Sequence, residues 1–330
     1  MTENRSRRTA KQRVKAVALR VPKLGDLIRE RDRLRDATRR LTKERDRLQT
    51  ELDKYKTWVP PGHFYSPVPS KDEVRARAQS IFDRSVRDVA GIDLNEPQQL
   101  ALLEEIKRFY AEIPFTAEGS PELRYKFENR FYSYSDAIFL YSVIRHLAPK
   151  RIIEVGSGYS SAVIMDTNDR FFDGAIACTF IEPYPDVLHS LLRPGDEDAI
   201  EIVQSPVQDV DPERFAELEA GDILLIDSTH VSKTGSDVNR LFFDVLPRLR
   251  PGVWVHVHDV FYPFEYPEVW IEEGRAWNED YLLRAFLMFS SGFVIALFNT
   301  YLETFHEDWF EREMPLCLKN RGGSIWLRRV

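Results

Sequence analysis

Seven short apolar runs constrain the fold more than any other feature of this 330-residue chain. They are RIIEV (151–155), ACTFIE (177–182), IEIVQ (200–204), DILLID (222–227), VWVHVHD (253–259), FVIALF (293–298) and SIWLRR (324–329), and helical stretches separate the first six. Runs of this kind read as strands buried on both faces. Strands that alternate with helices pair in parallel through helical crossovers. The expectation is an α/β fold, with a doubly wound, Rossmann-like, mostly parallel sheet covered by helices on both sides.

Ahead of the sheet the chain changes character. Residues 1–58 carry 19 Lys and Arg against 9 Asp and Glu, whereas the remainder carries 27 against 44. An acidic body argues against a surface that grips nucleic acid, and the basic tail stands apart as its own unit. Residues 24–56 read as a long charged helix in which Leu27, Leu34, Leu41 and Leu48 recur every seven residues, with Tyr55 next in the column. That is one apolar seam of a coiled coil, which would make a homodimer. The second column (Leu24, Arg31, Thr38, Arg45, Leu52) is poor, so a solvated helix is the alternative. Prolines in WVPPGHFYSPVPS (58–70) stop the helix. Helices are expected at about 71–88, after an Asn95 cap, and at about 135–147. The resulting divisions are a tail and charged helix (1–58), a linker and helical cap (59–130), and the sheet domain (131–330).

Exclusions follow from composition. No apolar run approaches the roughly 18 residues that a membrane span needs. The Arg-rich N-terminus has no apolar core of a secretory signal. Cys178 and Cys317 are the only cysteines, and Cys178 falls in an expected buried strand. A reducing, cytoplasmic setting fits, and no zinc spacing exists.

In an open parallel sheet, ligands bind beyond the carboxyl ends of the strands. EVGSG ends the first run and YSSAVIMD opens the next helix. Gly156 and Gly158 are read as making room for a ligand beside the backbone. A dinucleotide fingerprint wants glycine at position 161, where this chain has Ser161, which weakens a nicotinamide oxidoreductase. Glu154 would repel a pyrophosphate but suit a cationic ligand, and Glu182 ends the second run, where a carboxylate can accept ribose hydroxyls.

Acid, glycine loop and second-strand acid, in that order at strand ends, resemble the class I S-adenosylmethionine-dependent methyltransferases over roughly residues 130–330. The resemblance implies that Glu154, Gly156, Ser157, Gly158 and Ser160 hold the amino acid part of the donor. It implies Glu182 for the ribose, and Gln208 or Asp209 beside the adenine. It also implies an antiparallel last strand, which the long excursion 299–323 accommodates.

The ends of the fourth and fifth runs, IDSTH (226–230) and HVHDV (256–260), offer Asp227, His230, His258 and Asp259. Parallel neighbours lie about 4.8 Å apart, so residues leaving their ends can converge. Alternation sends His256 and His258 to one face, His258 nearer the mouth. Carboxylates with imidazoles suit deprotonation of a hydroxyl, directly or through a divalent metal. The pattern IDSTH…LPRLRPGVWVHVHD resembles bacterial small-molecule O-methyltransferases of the macrolide-sugar and catechol type. In their metal-dependent members, the positions of Asp227, His258 and Asp259 are ligands, though His258 stands where a carboxylate is usual. The implied acceptor is a hydroxyl on a small molecule or glycan. A non-catalytic scaffold that works through the coiled coil is the alternative from another class.

Overall fold

All seven apolar runs are strands of one sheet in the computed structural model, which describes residues 22–53 and 56–330. The strands are β1 (Arg151–Val155), β2 (Ala177–Ile181), β3 (Glu201–Val203), β4 (Ile223–Ile226), β5 (Trp254–His258), β6 (Phe293–Phe298) and β7 (Ser324–Arg329). Their order is β3-β2-β1-β4-β5-β7-β6. The first five pair in parallel, and β7 runs antiparallel between β5 and β6. This is the mostly parallel, doubly wound sheet with an antiparallel end that the sequence predicts. Strand order reverses at β1, whose neighbours are β2 on one side and β4 on the other. A crevice opens at the carboxyl ends of the strands at such a reversal.

The longer helices are α1 (Pro22–Asp53), α2 (Glu96–Ile106), α3 (Tyr134–Leu147), α4 (Tyr159–Phe172), α5 (Glu279–Phe289), α6 (Asn299–Phe305) and α7 (Glu307–Glu313). The expected excursion between β6 and β7 is thus largely helical. Every residue of β4 is buried, and so is every residue of α3 from Tyr134 to Ile144. A strand apolar on both faces and a helix apolar on most sides are what a covered sheet requires.

The chain divides into two compact units, one ending at Pro67 and the other running Val68–Val330. In the first, α1 exposes Leu27, Leu34, Leu41 and Leu48 by between 55% and 70%. Residues 1–21 and Tyr55 lie outside the described residues. In the second, segment 68–130 shares the body's core, to which Leu103, Ile106, Phe115, Tyr125 and Phe127 all contribute. Arg124 anchors this segment to the sheet domain. Its guanidinium meets Asp166 (2.8 Å) and Asp196 (2.6 Å), and its own N–H and that of Tyr125 donate to Asp166.

Two helix predictions need correction. The helix expected over 71–88 ends at Ile81, in two short pieces, Lys71–Ala76 and Ala78–Ile81. Just beyond, Asp83 takes the N–H and hydroxyl of Ser85 (2.9 and 2.6 Å), a local turn that competes with helix. Asn95 precedes α2 but does not cap it through its side chain. Its amide instead donates to the Ile295 carbonyl of edge strand β6 (2.9 Å).

Candidate functional site

The turn after β1 carries the donor-side residues. Gly156 has φ +84°, and a Cβ built on it would lie 1.7 Å from the backbone oxygen of Asp227. The group that demands glycine here is therefore the end of β4. That corrects the expectation that a ligand demands it. The two strand ends are also joined by the Asp227 N–H donating to Val155 O (2.9 Å). At Gly158 a Cβ would meet only Val187, at ordinary contact distance. Gly158 does border a cavity of about 150 Å³, with Phe131, Tyr132, Ser157, Tyr159, Ser160 and Asp227.

Glu154 is fully buried in β1. Ser161 donates to its Oε2, and Ser161 in turn accepts the Gly158 N–H (3.0 Å). Oε1 has no partner. Burial pushes this carboxyl up to about 8; bonds from Ser160 and Ser161 work against that, and the charges of Asp227 and Glu182 add to it. A buried carboxyl with one orphan oxygen is an arrangement a cation would complete.

On the other side of the turn lies a second cavity, about 400 Å³, lined by Gly156, Glu182, Tyr184, Gln208, Asp227 and Lys233 among others. The Glu182 carboxylate is held by the N–H groups of Ser157 (3.3 Å) and Tyr184 (2.8 Å). Gln208 donates to Gly235 O (3.1 Å) and lines this cavity; Asp209 is exposed and does not. A larger cleft, about 530 Å³, lies at the β6 edge among Gly91, Asp93, Asn95 and Phe293. It contains no histidine and only one carboxylate, so size is a poor guide to the chemistry here.

Asp227 lines both cavities of the turn and opens the acid–base cluster. His230 Nε2 lies 3.5 Å from Asp227 Oδ1 and 3.6 Å from Asp259 Oδ2. His258 Nε2 lies 3.7 Å from Asp259 Oδ1. The structure thus brings together all four acid–base residues expected from sequence. His230 and Asp259 both have left-handed backbones, φ +59° and +55°. Non-glycine residues in that region cost on the order of 1–3 kcal/mol each and cluster at functional sites.

Charge in the cluster is set by burial and by neighbours. Burial opposes charge on Asp227, but His258 and His230 outweigh it and leave this carboxyl below its ordinary value. Burial raises Asp259, only partly offset by His258 and His230. Burial works against protonation of His230, yet Asp227 and Glu279 beside it hold it well above the usual histidine value. For His258, burial is outweighed by Asp259, Asp227 and Asp136, again upward. Burial keeps His256 neutral. The rings of His256 and His258 lie on one face, 5.9 Å apart, as alternation predicts.

The comparisons with known proteins point the same way. Residues 153–260 match the family described as a methyltransferase domain. A protein of Archaeoglobus fulgidus, described as uncharacterized, is 41% identical over 165 residues, which span 48% of this chain and 73% of that one. The chain carries a methyltransferase domain. Among solved structures, this methyltransferase is similar to the O-methyltransferase TomG from Streptomyces achromogenes (15% identity, 78% of this chain and 96% of that one, TM-score 0.39). It is also similar to the Podospora anserina methyltransferase PaMTH1 (14%, 83% and 99%, TM-score 0.40). Likeness at this level carries no residue roles across.

The donor set of the methyltransferase can be tested against a metal. Among the described residues, no three or more His, Cys, Asp or Glu side chains gather as a metal site requires. A divalent metal held by Asp227, His258 and Asp259 accordingly stands as a proposal. The Tyr132 ring lies beside His258, centroids 4.9 Å apart.

Sequence reasoning missed three residues of the site. Ser161, noted only for spoiling a dinucleotide fingerprint, orients Glu154. Tyr132 covers His258, and its hydroxyl lies 3.4 Å from His256 Nε2. The Glu279 carboxyl lies 2.9 Å from His230 Nδ1. A signal for Glu279 existed: it lies four and eight residues before the buried Leu283 and Leu287, an acid on the apolar face of α5.

Proposed function

We propose that this methyltransferase moves the methyl group of S-adenosylmethionine to a hydroxyl oxygen on a small molecule or glycan. The observation that carries this reading is the position of Asp227. It lines both donor-side cavities and lies 3.5 Å from the nitrogen of His230. Donor chemistry and proton chemistry thus meet at one carboxylate.

The residues on the donor side fit the group. Glu154 Oε1, buried and unpartnered, suits the donor's ammonium. Glu182, fixed by two backbone N–H groups, keeps lone pairs for ribose hydroxyls. Gln208 reaches the same cavity and would face the adenine; Asp209 has no such place. When bound, S-adenosylmethionine supplies an electrophilic methyl on a positively charged sulfur.

On the acceptor side, His230 Nε2 takes the hydroxyl proton as the oxygen forms its bond to the methyl carbon. The carbon–sulfur bond breaks with its electron pair going to sulfur. Asp227 and Asp259, on either side of Nε2, stabilise the imidazolium that results. A nearby sulfonium charge would favour neutral His230 at the start of the step, opposing the carboxylates that hold its proton in the empty protein. Alignment of the reacting groups supplies much of the rate in such displacements. Trp277, tilted against His230 with centroids 4.4 Å apart, walls the same region and would offer a face to a sugar or aryl acceptor.

Among the described residues no helix is long and apolar enough to cross a membrane, and Cys178 and Cys317 are both buried and free. A cytoplasmic setting is part of the same proposal. So is a homodimer through α1, supported by its exposed leucine column. The test of the reading is transfer of a tritiated methyl group from S-adenosylmethionine to extract fractions. Wild-type protein is expected to label at least one fraction, and His230→Gln is not. Equal labelling by both would reject His230 as the base.

A further inference from the structure

We propose that Trp277, Asn278 and Glu279 form a clamp that fixes the orientation and tautomer of His230, with Glu279 as its principal positioning residue. His230 has φ +59° and leaves the sheet after β4, where no ladder holds it. A left-handed histidine persists only if its surroundings determine it. Three consecutive residues at the start of α5 do so.

The backbone of the clamp grips first. The His230 carbonyl accepts the N–H groups of Asn278 (3.0 Å) and Glu279 (3.2 Å), two of the donors that a helix N-terminus leaves unpaired. The Asn278 side chain then holds the chain two residues on. Its oxygen accepts the Ser232 N–H (2.6 Å), and its amide donates to Ser232 O (3.2 Å). The loop is pinned on both sides of Val231.

The ring is gripped next. Trp277 covers one face of the imidazole, at 4.4 Å and 36°. Glu279, itself buried, lies 2.9 Å from Nδ1. A neutral imidazole carries one N–H and one lone pair, and the partner of one nitrogen decides the state of the other. Glu279 is at hydrogen-bond distance from Nδ1, whereas Asp227 and Asp259 stand 3.5 and 3.6 Å from Nε2, so the proton of the neutral ring sits on Nδ1. Nε2, facing Asp227 and Asp259, is left as the acceptor. Under the methyl-transfer reading on which its purpose rests, this places the lone pair where the acceptor hydroxyl arrives. Once Nε2 has taken a proton, the Glu279 carboxylate also lies against the new positive charge.

The test is a long-range nitrogen–proton NMR spectrum of full-length protein labelled with ¹⁵N-histidine, recorded at alkaline pH and assigned with His230→Gln. Wild type is expected to carry its proton on Nδ1. Glu279→Gln, which still offers an acceptor, should keep that tautomer, and Glu279→Leu should shift it toward Nε2. A wild-type spectrum with the proton on Nε2 overturns the clamp whether or not the variants fold. So does a folded Glu279→Leu with an unchanged tautomer. Calorimetry with S-adenosylmethionine runs alongside, and Glu279→Leu is expected to keep wild-type donor affinity. Wild type that carries the Nδ1 proton yet binds no donor would support the clamp while removing the methyl-transfer reading.

Discussion

A Cβ on Gly156 would lie 1.7 Å from the backbone oxygen of Asp227. The turn that borders the donor cavities and the residue that opens the acid–base cluster are therefore packed backbone to backbone. Any shift of one strand end moves the other. A side chain at position 156 would also have to adopt φ +84°.

Gly156→Ala is expected to destabilise the fold and weaken donor binding together. The steric overlap is with backbone, which cannot rotate away, so a loss of about 2 kcal/mol or more is anticipated. Thermal unfolding with and without donor checks this; a variant of wild-type stability would show that the two strand ends are not in contact.

Glu154→Gln should separate stability from binding. The folded protein raises this carboxyl to about 8. The folded state thus keeps a proton that the unfolded chain releases above about 4.5. That contribution to stability is full below the unfolded value and is lost as pH rises toward 8. At pH 8 and above, the Gln variant is expected to melt a few degrees higher than wild type when empty, and to bind S-adenosylmethionine more weakly. Wild-type affinity itself should tighten between pH 6 and 8. A Gln variant with wild-type affinity would reject Glu154 as the partner of the ammonium.

Asp259→Asn keeps the shape of the cluster and removes one charge beside His230 and His258. Turnover is expected to fall by about 10²-fold or more, with donor affinity nearly unchanged. With His230 as the base, a chelator should leave wild-type turnover as it was. Loss of activity with chelator and its return with a divalent ion would contradict that account.

Turnover should also rise with pH on the alkaline side of the ordinary histidine value, about 6.5. Burial disfavours the charged His230, but Asp227 and Glu279 hold its proton, and the base must lose it to act. The sign for stability is opposite. The contribution of a raised histidine is full below about 6.5 and fades as pH rises through the folded value. Activity and melting temperature are therefore expected to move in opposite directions over that range; parallel profiles would argue against His230.

Removal of residues 1–64 should leave a folded protein that binds donor and has lost self-association. Four leucines of α1 stand more than half exposed in one column. Light scattering that gives the same mass with and without the tail would reject the coiled coil.

The sheet was legible in the sequence because its strands are buried on both faces: nearly every residue of β1, β4 and β5 is buried, and most are apolar. The acid–base cluster was legible because its members end adjacent strands. Contacts made by single groups across the fold were not. Nothing local to Asn95 reveals that its amide will bind β6 two hundred residues on. Gly156 signals a close approach, but not whether ligand or backbone approaches. The Asp83–Ser85 turn halted a helix whose apolar spacing continues through Val86.

Calorimetric titration of S-adenosylmethionine into wild-type protein and into Glu182→Ala tests the central claim most directly. One site is expected in wild type. The variant, folded but without the carboxylate that Ser157 and Tyr184 hold in the donor cavity, should bind about 1–3 kcal/mol more weakly. No binding by wild type, or equal binding by the variant, would contradict the placement of the donor at the ends of β1 and β2.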